Sequence, residues 1–217
     1  MMNSDFEKEY YESPRSEMLP LVPLAAKKVL ELGCSTGSFA SQIKKRNDCE
    51  VWGIELVEKQ ARKAAEVLDK VIIGDVTTEV SALPGSYFDC VICNDILEHL
   101  VDPYTLLKTL RDHITATGVL VASIPNVRYY RVVKDLVLHG EWKYKESGVL
   151  DKTHLRFFTR KSIIRELDEN GWYVEYISGI NPSSSKTFKV LNLLMLGCIK
   201  DIQYRQFALV ARVKPLR

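Results

Sequence analysis

The sequence of 217 residues lacks any apolar run long enough to cross a membrane. Its longest apolar run, VLNLLMLGCI at residues 190–199, is far shorter than the roughly 20 residues of a transmembrane helix. The first residues, MMNSDFEKEYYESPRSE, are polar and lack the apolar stretch of a secretory signal peptide. These absences predict a cytoplasmic protein without a transmembrane segment.

Cysteine and net charge are also low. The five cysteines are an odd number in a chain for which we predict no signal peptide, which does not indicate a disulfide framework. Cys90 and Cys93 have the spacing of a redox or zinc pair, but they fall in an apolar strand pattern, where residues three apart face opposite sides. We predict two core residues here, and no metal site in the chain. The formal net charge of +2 gives no sign of a nucleic-acid partner.

What the chain does have is an alternation of apolar runs and amphipathic segments. The amphipathic segments predict helices near 35–46, 58–69, 102–114 and 160–170, the second with Ala61, Ala64, Ala65 and Leu68 facing inward. Continuous apolar runs between helices are typical of a parallel sheet that is covered on both faces. The predicted strands are KKVLELG, VWGIEL, KVIIGDV, FDCVICND, GVLVASIP, WYVEYISGI and QFALVARV.

We predict a single domain over residues 1–217. Three segments of this domain do not follow the α/β pattern. An N-terminal arm at 3–20 has a helical pattern that breaks at proline. Insertions at 126–158 and 181–203 follow the fifth and sixth strands. We expect the first insertion to cover an acceptor site. The second is equally compatible with a lid, a homodimer face, a membrane-surface contact or a core helix.

Acidic and small residues follow the first four strands. Glu31–Gly37, Glu55, Asp75 and Asn94–Asp95 come at successive strand ends, which meet at one edge of a parallel sheet. When the three-glycine pattern of a dinucleotide-binding site is aligned on Gly33, serine occupies its other two positions, which disfavours a nicotinamide dinucleotide. The loop also has no lysine of the kind that binds a triphosphate. An adenosine cofactor without phosphates remains. Glu55 has the sequence distance from Gly33 expected of an acid that binds ribose hydroxyls.

The segments VLELGCSTGSFA, VWGIEL, GDV and FDCVICNDILEHL resemble, in this order, the motifs of class I S-adenosylmethionine-dependent methyltransferases. The resemblance covers about residues 10–177 and implies a Rossmann-like, seven-stranded, mostly parallel sheet with an antiparallel last strand. Ser35 replaces the middle glycine of the family's acid-x-G-x-G-x-G loop. The segments YYESPRSEMLPLVP, NDILEHLVDP, SIPNVRYYRVVKDLVLHGEW and GVLDKTHLRFFTRKSI are similar to the branch of ubiquinone-type O-methyltransferases and polysaccharide-biosynthesis methyltransferases.

The resemblance implies S-adenosyl-L-methionine as cofactor and S-adenosyl-L-homocysteine as its product. The Gly33–Gly37 backbone would lie against the methionine part, Glu55 would accept from the ribose hydroxyls, and Asp75 would face the adenine. Related enzymes fold an N-terminal helix over the cofactor, so the resemblance implies that residues of the arm also contact it. The implied cofactor residues are Glu31, Gly33, Cys34, Ser35, Gly37, Glu55, Leu56, Asp75, Val76, Asn94, Ile96 and His99, with Tyr11 and Arg15 from the arm.

The insertion at 126–158 carries aromatic and hydrogen-bonding side chains that suit a sugar or a polar ring. Histidine has an ordinary pKa near neutrality, so we predict His154 as the general base and His99 as the second candidate. His113 and His139 have the pattern of helix-surface residues. The predicted acceptor-binding residues are Asn126, Arg128, Tyr129, Tyr130, Asp151 and His154.

Together these features predict O-methylation of a sugar, a nucleotide-sugar or another small polar biosynthetic metabolite. NDIL stands where amine-methylating enzymes of nucleic acids often show N/D-P-P-aromatic, which disfavours a base amino group. The stretch RYYRVVK could contact nucleic acid, but acids follow at Asp135, Glu141 and Glu146. RNA or protein as acceptor therefore remains an alternative. So does a non-catalytic S-adenosylmethionine-binding partner that regulates another enzyme, while a nicotinamide oxidoreductase is least supported.

Overall fold

The computed structural model of the chain describes residues 14–183 and 199–215. All seven predicted strands are present. Their bounds are β1 Lys28–Leu32, β2 Glu50–Glu55, β3 Lys70–Ile73, β4 Phe88–Asn94, β5 Ile114–Pro125, β6 Trp172–Pro182 and β7 Tyr204–Val213.

Six α-helices connect these strands in the described part of the chain. They are α1 Ser38–Arg46, α2 Glu58–Ala64, α3 Val76–Glu79, α4 Pro103–His113, α5 Tyr130–His139 and α6 Arg160–Glu169. Short 3-10 helices occur at Ser16–Leu21, Val80–Ala82, Leu97–His99 and Lys200–Gln203. None of the described helices is long and apolar enough to cross a bilayer.

The strands form one sheet in the order β3-β2-β1-β4-β5-β7-β6. β1 to β5 are parallel, and β7 pairs antiparallel with both β5 and β6. The predicted Rossmann-like, mostly parallel sheet with an antiparallel last strand is thereby confirmed. The strand order reverses between β1 and β4, and sheets of this kind bind ligands beyond the carboxyl ends of the strands at such a point.

Two apolar layers cover the two faces of the sheet, because the strands alternate their side chains between them. Leu30 and Leu32 of β1 belong to one layer and Val29 to the other. Cys90 and Cys93 of β4 divide in the same way, and both are free thiols. Burial raises the pKa of each thiol, which keeps it protonated. The prediction of two core cysteines, rather than a redox or zinc pair, is confirmed.

Helix ends differ from the sequence pattern in places. α2 ends at Ala64, five residues early, and Ala65 is exposed rather than inward-facing. Leu68 is buried as predicted, but in the turn that leads to β3. The prediction that His113 lies on the surface is wrong, because the residue is buried. It is the last residue of α4, and its Nδ1 lies 3.2 Å from the Pro84 carbonyl oxygen.

The three segments outside the α/β pattern are described in part. Of the arm, residues 14–20 are described, and 16–20 belong to the 3-10 helix Ser16–Leu21; residues 3–13 lie outside the described residues. The insertion at 126–158 contains α5, a helix that the sequence pattern does not predict. In the insertion at 181–203, the first residues continue β6 and the last form a 3-10 helix, whereas 184–198 lie outside the described residues.

Glu31 is an acid in the interior of the central strand β1. Glu31 is 4% exposed, and its Oε2 has no hydrogen-bond partner among the described residues. Burial raises the pKa of Glu31 to about 8; a backbone hydrogen bond at Ala40 opposes this rise and the nearby Glu55 adds to it. A buried carboxyl with one unsatisfied oxygen makes the fold sensitive to pH.

Glu31→Gln should remove this sensitivity. The folded protein keeps the Glu31 proton up to about pH 8, whereas the unfolded chain loses it near 4.5. Between these values the unfolded chain binds fewer protons, so the free energy of unfolding falls as pH rises, by at most about 1.4 kcal/mol per pH unit. We expect the variant to gain stability over wild type as pH rises from about 5 to about 8, measured by urea unfolding at both ends.

The exposed residue Glu66 provides the matched control, since Glu66→Gln removes a carboxylate without touching the sheet. A stability difference between Glu31→Gln and wild type that stays constant across this pH range would contradict the buried, protonated carboxyl.

Candidate functional site

A cleft of about 840 Å³ opens beyond the carboxyl ends of the parallel strands, where the strand order reverses. The loops that follow β1, β2, β3 and β4 all contribute to its wall. Of the predicted cofactor residues, Gly37 does not line the cleft, and Tyr11 lies outside the described residues. The others all line it: Arg15, Glu31, Gly33, Cys34, Ser35, Glu55, Leu56, Asp75, Val76, Asn94, Ile96 and His99.

The loop after β1 follows a path that requires left-handed backbone. Gly33 has φ +65°, and a Cβ there would lie 2.2 Å from Cδ1 of Ile96. Gly37 has φ +78° and backs onto Leu68, so it packs the loop against the protein instead of facing the cleft. Ser35, at the family's middle glycine, also adopts positive φ, +49°. The serine therefore accepts the backbone conformation that glycine normally supplies.

Glu55 at the end of β2 holds this loop in place. Its Oε2 accepts a hydrogen bond from the Ser35 amide at 2.8 Å, and its Oε1 accepts one from the Val57 amide at 2.8 Å. The residue is 7% exposed and lines the cleft. Each carboxylate oxygen can accept a further hydrogen bond, so the group is fixed in orientation without being saturated.

Asp75, after β3, combines two roles. Its Oδ1 accepts from the amide and from the hydroxyl of Thr77, at 2.8 and 2.7 Å, and so caps the short helix α3. The same residue lines the cleft beside the apolar side chain of Val76. An acid that caps a helix can therefore still present an oxygen to a ligand.

Arg15 joins the arm to the sheet at the same edge. Its Nη1 lies 2.6 Å from Oδ2 of Asp95, and its Nη2 donates to the Ser123 hydroxyl at 2.6 Å. Gln206 of β7 donates to the other oxygen of Asp95 at 2.8 Å. Three strand ends and the arm thus meet at one carboxylate, which the sequence reading had placed at a strand end without assigning it a role.

His99 and His154 lie together at the other end of the cleft, although they are 55 positions apart in the sequence. Their rings contact edge to face, with centroids 4.8 Å apart. Nδ1 of His154 lies 3.1 Å from the Val149 carbonyl oxygen, and Nδ1 of His99 lies 3.1 Å from the Thr153 hydroxyl. Burial, followed by the neighbouring His154, lowers the pKa of His99. Asp151, also on the cleft wall, accepts from Thr153.

The remaining predicted acceptor residues do not line the cleft. Asn126 is fully buried, and its amide donates to the carbonyl oxygens of Asp201 and Tyr204 at 3.1 and 3.0 Å. Arg128 pairs with the Asp201 carboxylate at 2.6 Å. Tyr129 is buried in a small apolar cluster, and the Tyr130 ring packs against it. Asn126 and Arg128 therefore tie the insertion to β7 and to the 3-10 helix before it, whereas Tyr129 and Tyr130 pack within the insertion.

The structure adds cleft residues that the sequence reading did not select. Glu98 is 1% exposed, and both its carboxylate oxygens lack a hydrogen-bond partner among the described residues. Burial, with Asp95 as the second cause, raises the pKa of Glu98 well above its usual value. Glu98 precedes His99 in the motif LEHL, so the motif that predicts His99 as a site residue could also have identified Glu98. Asn181, Arg205 and Gln206 come from β6 and β7, where no motif marks them.

The sequence profile of the family described as "Methyltransferase domain" matches residues 5–177 of this chain. A ubiquinone biosynthesis O-methyltransferase of Psychrobacter cryohalolentis is 30% identical over 177 residues, covering 72% of this chain and 68% of that protein. One from Histophilus somni is 28% identical over 130 residues, covering 56% and 54%. The chain spans about half the length of several of these curated relatives.

Solved structures show the same fold. The crystal structure of a SAM-dependent methyltransferase from Archaeoglobus fulgidus superposes with a TM-score of 0.68 at 18% identity, covering 97% of this chain and all of that one. A second SAM-dependent methyltransferase, from Mesorhizobium loti, gives 0.63 at 19% identity. The motif order, the strand order and the glycine loop agree with the profile match. The chain belongs to the methyltransferase-domain family, with the class I fold of S-adenosylmethionine-dependent methyltransferases.

Proposed function

We propose that the protein transfers the methyl group of S-adenosylmethionine to a hydroxyl oxygen of a small polar acceptor, such as a sugar or nucleotide-sugar. One observation carries this proposal. A single cleft joins the Glu55-held glycine loop to a pair of histidines, so a cofactor site and a proton acceptor share one cleft. Its volume of about 840 Å³ is in the usual range for sites that bind small molecules.

The polar groups of the cleft fit this cofactor. Both side-chain amide atoms of Asn94 and Oε2 of Glu31 are buried without a hydrogen-bond partner among the described residues, so they remain available to a polar ligand. Glu55 would accept from the ribose hydroxyls with its remaining lone pairs. Asp75 would accept from the adenine amino group, next to Val76. The cofactor supplies an electrophilic methyl carbon on a positively charged sulfonium, which acids nearby stabilise.

His154 is oriented to accept a proton. Its Nδ1 faces the Val149 carbonyl, which can only accept a hydrogen bond, so Nδ1 carries the ring hydrogen. In the neutral ring Nε2 then carries the lone pair. When the acceptor oxygen bonds to the methyl carbon and the sulfur–carbon bond breaks, the hydroxyl proton would pass to Nε2. S-adenosylhomocysteine and the methylated product would then leave.

Charge at the acceptor end favours a small molecule over a polynucleotide. Asp151 lines this part of the cleft, and its carboxyl group would oppose a phosphate backbone. Arg205 and Asn181 lie on the same wall and could bind a single polar or anionic group, such as that of a nucleotide-sugar. We infer a small polar acceptor.

Glu55→Ala should weaken the binding of S-adenosylhomocysteine by about 100-fold or more, because two hydrogen bonds to a charged group are lost at about 1.5–3 kcal/mol each. Glu55→Gln should weaken it less, since one acceptor oxygen remains. Isothermal titration calorimetry measures both affinities. Glu58→Gln, at an exposed acid on the next helix, is the matched control. Absence of binding to wild type, or equal affinity in Glu55→Ala, would refute the cofactor site.

His154→Ala should lower kcat by about 10²–10⁴-fold, the usual contribution of a general base, and leave S-adenosylhomocysteine affinity unchanged. Turnover is followed as release of S-adenosylhomocysteine with a panel of nucleotide-sugars, free sugars and phenols. His139→Ala, at an exposed histidine of α5, should behave as wild type. Wild-type turnover in His154→Ala would rule out its role.

A further inference from the structure

We propose that Glu98, His99 and His154 bind a divalent transition-metal cation at the acceptor end of the cleft. This inference rests on the proposed function, because the cation would activate the acceptor hydroxyl. One potential ligand atom from each of the three residues lies within 4.8 Å of the others, and all three residues line the cleft. Ligand atoms around zinc lie roughly 3.4 Å apart, as metal–ligand distances near 2.1 Å require, so small side-chain rotations would close the site.

The Glu98 carboxyl group is the first observation in favour of a cation. The residue is 1% exposed, and neither oxygen has a hydrogen-bond partner among the described residues. Proteins rarely bury a carboxyl group in this way, since buried polar groups are normally hydrogen-bonded, paired or bound to metal. The main chain of Glu98 is held firmly, because its carbonyl oxygen accepts from the amides of Leu155 and Arg156. The unpaired side chain is thus aimed at the two histidines by a fixed backbone.

The hydrogen bonds of the two rings leave the same nitrogen free in each. The Thr153 hydroxyl donates to Asp151 at 2.7 Å, so its oxygen accepts from Nδ1 of His99. Nδ1 of His154 donates to the Val149 carbonyl. Each ring therefore carries its hydrogen on Nδ1 and its lone pair on Nε2. Metal-binding histidines are typically oriented in this manner, by donating the other ring hydrogen to a carbonyl or to a group backed by a carboxylate.

The carboxyl groups around the two histidines also favour a bound cation. Three carboxyl groups, those of Asp95, Glu98 and Asp151, surround the histidine pair on the cleft wall. Arg15 pairs with Asp95, and no ion pair within the described residues reaches Glu98 or Asp151. The Asp151 carboxyl group would attract a divalent cation, which would bind Glu98 in its ionised form.

The donor set selects the class of cation. Two imidazole nitrogens and one carboxylate oxygen suit zinc, iron or cobalt, whereas magnesium and calcium prefer oxygen ligands. The fourth position would face the cleft and bind the acceptor hydroxyl, lowering its pKa. Its proton would pass to solvent, the oxygen would bond to the methyl carbon, and the sulfur–carbon bond would break. His154 would then serve as a ligand, since its lone pair cannot also accept the proton.

Titration of the chelator-stripped, full-length protein with Co²⁺ tests the site, because imidazole-bound Co²⁺ in a low-symmetry site absorbs visible light. We expect one Co²⁺ per chain, displaced by one equivalent of Zn²⁺. Glu98→Gln and His154→Gln should each weaken Co²⁺ binding at least tenfold. His139→Gln and Cys49→Ser, at the exposed histidine of α5 and a partly exposed thiol, should bind as wild type. Absence of stoichiometric binding, or wild-type affinity in Glu98→Gln, would overturn the proposal.

S-adenosylhomocysteine affinity and thermal unfolding, measured on the same variants, separate loss of the site from loss of the fold. His99→Gln provides a third test should one variant fail to fold. Wild type that binds S-adenosylhomocysteine but not Co²⁺ would overturn the metal site alone. Wild type that binds Co²⁺ but not S-adenosylhomocysteine would overturn the proposed function and leave the cation site standing.

Discussion

The bond between the Glu55 carboxylate and the Ser35 amide is the contact on which the cleft depends. The loop after β1 must turn away from the sheet through left-handed backbone, which is costly for a residue with a side chain. Gly33 meets this need by lacking a Cβ, and both its amide and that of Cys34 donate to the Ile54 carbonyl. Glu55 supplies the anchor at the next position, so serine can replace glycine in the loop.

The same anchor explains why adjacent strands converge on one site. β1 and β2 are parallel neighbours, so their carboxyl ends reach the same edge, and the loop of one can bond to the last residue of the other. β4 lies on the other side of β1 and brings Asn94 and Asp95 to the same edge. Arg15 then ties the arm to Asp95. The cofactor end of the cleft is therefore built from short connections between neighbouring strands.

The acceptor end is built differently, from segments that are distant in the chain. His99 belongs to the 3-10 helix after β4, whereas His154 belongs to the insertion after β5. They meet because the Glu98 carbonyl accepts from the amides of Leu155 and Arg156, which lays the insertion along the cleft wall. One backbone contact thus places an acid and two histidines together. Base catalysis and metal-assisted catalysis draw on these same groups, and a bound cation decides between them.

The sequence by itself determined the class of sheet, the strand positions and the turn after β1. These features depend on periodicity and on local backbone angles, which neighbouring residues control. Most cofactor candidates reached the cleft for this reason, since each sits at a strand end. Only the tertiary structure decided which residues of the insertion face the acceptor. Asn126 and Arg128 carry polar groups that suit a ligand, yet Asp201 and Tyr204 satisfy them, while Glu98 stays unpaired. Partners so far apart in the chain leave no periodic signal, because only packing brings them together.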